Sequence, residues 1–222
     1  MLGNRHLPSL KKRIRHSKVA AKPPMNLPNK LTMMRLGITA GFAASLESYQ
    51  TFSCTGALLL FGLASFTDYA DGAIARRYNL ITDFGALMDP LVDKILTATA
   101  LICLAARESN GHAAIPAWVA IVIVSREFLI TGLRQLAAAK GVVLPADRFG
   151  KHKTIWQIIT ILYFLLLLSL DEWIRVGWVP QPSFLNVLWR PIGSILLGLA
   201  LALTVGSGLG YLWRNRYLIE DR

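Results

Sequence analysis

Asp68 and Asp71, then Asp89 and Asp93, stand out in the stretch DYADGAIARRYNLITDFGALMDPLVD that runs from residue 68 to 93. If the chain is helical from 68 to 76, Asp68, Gly72 and Arg76 share one i, i+4 row, and Asp71 and Ala75 occupy the row beside it. Gly85, Asp89 and Asp93 make a second such row. Four carboxylates brought together repel one another at low dielectric unless they are protonated, paired with cations or bound to metal. Hard divalent ions, Mg²⁺ or Mn²⁺, take carboxylate oxygens and complete their shell with phosphate oxygens. Asp68, Asp71, Asp89 and Asp93 are therefore the candidate metal ligands, and phosphate chemistry is the expected use. Gly72, Ala75 and Gly85 leave room for a substrate to approach the backbone, and Arg76 can neutralise phosphate charge. The plainer alternative is a set of solvated acids at a helix end, paired with Arg76, Arg77 and Lys94. Two phased rows with small residues between them argue against it. Asp83 falls in neither row and is placed to cap the following helix.

The elements that position these residues are apolar. Of the 222 residues, 54% are hydrophobic and 17% charged, against roughly 25% charged in an ordinary soluble domain. Apolar stretches near the length of a membrane-crossing helix recur along the whole chain, which excludes a single anchor or a cleaved signal peptide. The reading is an all-α, polytopic membrane protein with six transmembrane helices, at about 31–47, 53–75, 84–106, 114–138, 152–170 and 184–213. Small residues in the first span, from Gly37 to Ala44, suit a helix packed against protein. The last span carries no legible chemistry; its glycines at 198, 206, 208 and 210 suggest close helix packing, with a subunit interface as one place for it.

The basic residues orient the chain. The segment before residue 31 carries eight Lys or Arg and no acid, and Arg76 and Arg77, the loop from Lys140 to Lys153, and Arg214, Arg216 and Arg222 are also basic. The stretches near Glu47, Arg107 with Glu108, and Asp171 to Arg175 are acidic or balanced. Both termini and the aspartate-rich stretch are thus expected on the cytoplasmic side. The net charge of +11 points to anionic membrane lipid and not to nucleic acid, because the cations cluster at span ends. Residues 1–28 read as a basic juxtamembrane tail, with an organellar targeting segment as the alternative; residues 29–214 form the membrane domain, and 215–222 a cytoplasmic tail. Cys54 and Cys103 lie in apolar runs and read as small core residues.

The residues Asp68, Asp71, Gly72, Ala75, Arg76, Gly85, Asp89 and Asp93 match the signature DxxDGxxAR(x8)GxxxDxxxD without departure, and on them the chain resembles the CDP-alcohol phosphotransferases. The resemblance implies a six-helix membrane enzyme, usually a homodimer, that joins a CDP-linked substrate to an alcohol and releases CMP. It implies that Asp68, Asp71 and Asp89 are metal ligands, and that Asp93 is a further ligand or the base that takes the acceptor's hydroxyl proton. Asp68, Asp71, Gly72, Ala75, Arg76 and Gly85 would then form the CDP-diacylglycerol site.

The acceptor is addressed by a second group of charges. SREFLITGLRQL places Arg126, Glu127 and Arg134 within the fourth span, and FGKHKTIWQ places Lys151 and Lys153 at the start of the fifth. Intramembrane charges are costly unless they face a cavity or partner. Four cations, Arg126, Arg134, Lys151 and Lys153, suit an acceptor that itself carries phosphate, since a neutral polyol would leave them unpaired. The alternative is that Arg126 simply pairs with Glu127 or a motif aspartate and the lysines follow the positive-inside rule. Together with the opening PNKLTMMR, these segments resemble the phosphatidylglycerophosphate synthases of bacterial cytoplasmic membranes over about residues 28–157. That resemblance implies transfer of the phosphatidyl group of CDP-diacylglycerol to sn-glycerol 3-phosphate, with Thr32 and Arg35 near the active site. The cardiolipin synthases, which use phosphatidylglycerol as acceptor, share a similar opening and are the nearest alternative. A transporter would place its acids near the bilayer midplane, whereas these acids lie at one interface.

Overall fold

The computed structural model describes residues 27–78, 83–109, 112–139, 141–142, 148–180 and 183–216; within these, the side chains of 27–31, 68–90, 93, 109, 112, 139, 148–151 and 183–190 lie outside the description. Six helices run in order: α1 (Leu27–Glu47), α2 (Ser53–Tyr78), α3 (Asp83–Ala106), α4 (Ala117–Ala139), α5 (Arg148–Arg175) and α6 (Ser183–Arg214). A two-residue antiparallel pairing, Glu108–Ser109 with His112–Ala113, joins α3 to α4. The architecture is all-α. Two segments among the described residues, His152–Arg175 in α5 and Pro191–Arg214 in α6, are long and apolar enough to cross a membrane, and Ser53–Thr67 and Lys94–Ala106 are shorter apolar stretches.

Each helix falls on an expected span, and the differences have local causes. The fourth begins at Ala117 and not at 114, because Pro116 opens it: its carbonyl accepts from Val119 N at 3.0 Å, and proline's fixed φ suits a helix start. The fifth extends beyond 152–170 at both ends, so Asp171 to Arg175 are the last turn of a helix and not a loop. Hydropathy marks only the apolar stretch, whereas backbone hydrogen bonding continues through the polar turns on either side.

Two helix ends need glycine. After α4, Gly141 has φ 76° while Gly141 N donates to Ala138 O and Val142 N to Ala137 O. After α5, Gly177 has φ 82° while Gly177 N donates to Ile174 O and Trp178 N to Trp173 O. Both are paired 5→2 and 6→1 closures that require a left-handed residue, which glycine adopts without a Cβ clash.

α1 packs on α2 and α3, α2 on α5, α5 on α6, α3 on α4, and α4 on α6. The main core draws Phe42 and Leu46 from α1, Phe61 from α2, Leu104 from α3, Ile123 from α4 and Leu165 from α5. Cys54 and Cys103 are free thiols buried in it, as expected. A smaller apolar cluster, Ile130, Leu133, Ala137 and Tyr211, seals α4 against α6. At the end where α2 begins, Glu172 of α5 accepts from Cys54 N at 2.8 Å and Thr55 N at 3.0 Å, capping α2 from another helix. Arg107 donates to Leu46 O at 2.8 Å and lies 3.9 Å from the centre of the Tyr49 ring, tying the end of α1 to the same cap.

Candidate active site

The premise behind the two aspartate rows was an unbroken helix, and the backbone meets it. α2 continues to Tyr78 and α3 begins at Asp83, so Asp68, Asp71, Gly72, Ala75 and Arg76 occupy the closing turns of one helix. Gly85, Asp89 and Asp93 occupy the opening turns of the next. The side chains of these eight residues, like that of Asp83 at the first position of α3, lie outside the described ones. Among the described residues no group of three potential metal ligands comes together. The fit to a metal rests on the donor set itself: four carboxylates at i, i+3 and i, i+4 positions, the hard oxygen donors that Mg²⁺ and Mn²⁺ prefer.

Directly after Asp93, the chain carries Lys94, whose side chain is described. Lys94 Nζ stands 3.0 Å from Glu127 Oε2. Glu127 is buried in α4 at 5% exposure, and its other oxygen accepts from Arg126 Nη1 at 3.3 Å and from Lys153 Nζ. One carboxylate thus gathers cations from α3, α4 and α5. A buried charge requires such partners, since desolvation without them costs more than folding can supply.

Arg126 is held by more than its neighbour in sequence. Its Nη2 donates to Ser207 Oγ of α6 at 3.0 Å, and Ser207 in turn donates to Leu203 O at 2.6 Å. The arginine stem lies against Gly208: a Cβ there would meet Arg126 Nε at 2.8 Å and Cγ at 2.9 Å. Arg134 sits eight residues further along α4, about 12 Å by helical rise, and donates from Nε to Tyr211 Oη at 3.1 Å. Thr32 and Arg35 of α1 are buried at 3% and 4% exposure, and Arg35 O accepts from Thr39 Oγ1 at 2.8 Å.

The structure therefore brings Arg126 and Lys153 together and keeps Arg134 on a separate contact with α6. Lys151 lies on α5, but its side chain is outside the described ones. The sequence reading that paired Arg126 with Glu127 is met in part, because Glu127 also gathers Lys94 and Lys153. Three contributors escaped sequence reasoning: Lys94 as a partner of Glu127, and Ser207 and Tyr211 on α6. Of the α6 glycines, Gly208 closely approaches Arg126 of α4 and Gly193 closely approaches Tyr163 and Phe164 of α5, whereas a Cβ at Gly198 or Gly206 would meet nothing within 4 Å.

Residues 25–206 match the model of the CDP-alcohol phosphatidyltransferase family. A CDP-diacylglycerol–glycerol-3-phosphate 3-phosphatidyltransferase from Bacillus subtilis is 37% identical over 203 residues, covering 86% of this chain and 95% of the relative. One of the same name from Rickettsia felis is 35% identical over 186 residues, covering 84% and 93%, and one from Pseudomonas fluorescens is 31% identical over 191 residues, covering 85% and 89%. With the motif on two successive helices and the match extending through most of all six, the chain belongs to the CDP-alcohol phosphatidyltransferase family.

Proposed function

We propose that this chain transfers the phosphatidyl group of CDP-diacylglycerol to sn-glycerol 3-phosphate, forming phosphatidylglycerophosphate and CMP. The observation that carries this reading is the cluster of Lys94, Arg126 and Lys153 around the buried Glu127, which begins one residue after the last motif aspartate. A site for diphosphate chemistry thereby adjoins a second set of cations, and an acceptor bearing its own phosphate uses both. The relatives named for this reaction, matched over nearly their full length, support it.

In the reaction an acceptor hydroxyl oxygen bonds to the phosphatidyl phosphorus, the bond from that phosphorus to the bridging diphosphate oxygen breaks, and CMP leaves with the electron pair. Asp93 takes the hydroxyl proton as attack proceeds, a concerted transfer that suits a carboxylate of low basicity. Gly72, Ala75 and Gly85 admit the cytidine diphosphate close to the backbone, and Arg76 offsets phosphate charge. Asp68, Asp71, Asp89 and Asp93 would hold Mg²⁺ or Mn²⁺, which would supply charge stabilisation at the diphosphate and the leaving group. Arg126 and Lys153, with Arg134 and Lys151, orient the acceptor phosphate; Thr32 and Arg35 line the same end of the bundle.

The six helices cross a bacterial cytoplasmic membrane with both termini inside, in a homodimer, with residues 29–214 as the membrane domain and the basic segment before it on anionic lipid. The test is CMP release by the detergent-purified protein from CDP-diacylglycerol with glycerol 3-phosphate, with phosphatidylglycerol or with no acceptor, each with and without Mg²⁺. Metal-dependent release with glycerol 3-phosphate alone is expected. Release with phosphatidylglycerol alone would reassign the acceptor and make the chain a cardiolipin synthase.

A further inference from the structure

We propose that Glu127 is a positioning residue for the acceptor: its buried carboxylate holds Lys94, Arg126 and Lys153 converged as a preformed subsite for a phosphomonoester. The inference rests on the acceptor reading above and assigns the residue that makes the subsite. Glu127 accepts from three cations on three helices, and it is the only carboxylate among the described side chains that does so. Without it, three like charges at close quarters repel, and two of them sit on four-carbon lysine stems with many rotamers to occupy. An arriving phosphate would then have to gather them itself, against both repulsion and lost side-chain freedom. With Glu127 in place that work is done during folding, which is the advantage of preorganisation.

The donor count fits a phosphate ligand. Lys153 has three N–H groups and Glu127 as its acceptor among the described residues, and Arg126 directs two of its five donors to Glu127 and Ser207. Among the described residues, donors therefore remain for phosphate oxygens. The carboxylate also repels an incoming anion. That opposing effect is blunted because both oxygens are already engaged by cations, so convergence prevails.

The test uses the full chain in detergent with CDP-diacylglycerol and Mg²⁺, comparing wild type with Glu127→Gln and Glu127→Asp. Glu127→Gln is expected to raise KM for glycerol 3-phosphate at least tenfold while kcat falls no more than a few-fold and KM for CDP-diacylglycerol stays within twofold. Inorganic phosphate, tested as a competitor of glycerol 3-phosphate, should lose inhibitory potency in parallel. Glu127→Asp, which keeps the charge on a shorter stem, should recover part of the acceptor KM. Equal loss in kcat and in both KM values, or tighter phosphate inhibition in Glu127→Gln, would overturn the proposal. If Glu127→Gln does not fold, Glu127→Asp decides the matter, because an equal change in kcat and in both KM values of that variant also overturns it. Should wild type itself release no CMP with glycerol 3-phosphate, the acceptor reading fails first, and the two failures remain distinct.

Discussion

Two buried glutamates, Glu172 and Glu127, each at 5% exposure, are solved by the fold in opposite ways. Glu172 accepts from Ser53 Oγ at 3.2 Å, Cys54 N at 2.8 Å, Thr55 N at 3.0 Å and Thr55 Oγ1 at 3.1 Å. All four donors are neutral and belong to the first turn of α2, where the helix dipole also favours a negative charge. A carboxylate accepts about four hydrogen bonds, so this one is saturated and nothing remains for a ligand. Glu127 is satisfied by cations from three helices, and among the described residues Arg126 and Lys153 keep donors to spare. On α5, Lys153 and Glu172 are 19 residues apart, about 28 Å by helical rise, close to the thickness of a bilayer's hydrocarbon core. One end of the bundle is built to be stable and the other to receive charge.

The sharpest way to separate the two ends is at the motif. Asp93→Asn should reduce CMP release by about 10³-fold or more with no change in thermal stability in detergent, and chelation of divalent ions should silence the wild type to the same degree. Thermal inactivation of Glu172→Ala addresses the other end. Stranding two backbone N–H groups and two hydroxyls should cost about 3 kcal/mol, a fall in midpoint on the order of 5–10 °C, with kcat/KM of the folded protein within about twofold. A large loss of activity with unchanged stability in Glu172→Ala would break the contrast.

Gly208→Ala probes the support behind the cations. Its Cβ would press on Arg126 Nε and Cγ, so the guanidinium must shift, and acceptor KM should rise roughly tenfold while donor KM holds. The smallest effect is expected two residues earlier. A Cβ at Gly206 meets nothing within 4 Å, so Gly206→Ala should leave kinetics unchanged and gain up to about 1 kcal/mol of helix stability. Loss of activity or of dimer in Gly206→Ala, seen by kinetics and by sedimentation in detergent, would place a second copy against that face.

Much of this molecule was legible in one dimension. Hydropathy located all six helices because each buries or exposes a continuous apolar surface, and the errors fell where Pro116 set a start and where α5 ran past its apolar stretch. The phasing of the aspartate motif was legible because its geometry is helical and local: i, i+3 and i, i+4 spacing needs only an unbroken helix, which α2 and α3 provide. Arg126 and Lys153 were singled out because charge is conspicuous in an apolar chain. On α6, Gly208 was among the glycines expected to pack closely, but the helix it meets was not visible. Ser207 and Tyr211 are unremarkable residues in an apolar run, and what gives them meaning is contact with α4 across some eighty positions of sequence.

The sequence by itself determined the class of chemistry and the helical periodicity that phases the aspartates, since each depends on local spacing. Only the tertiary structure decided which acid meets which base. Glu127 stands beside Arg126 in sequence, yet its partners Lys94 and Lys153 arrive from helices on either side, and Glu172 serves the start of a helix 117 to 119 residues away. Ion pairing and capping act over about 3 Å, and no regularity of spacing along the chain encodes which helices approach that closely.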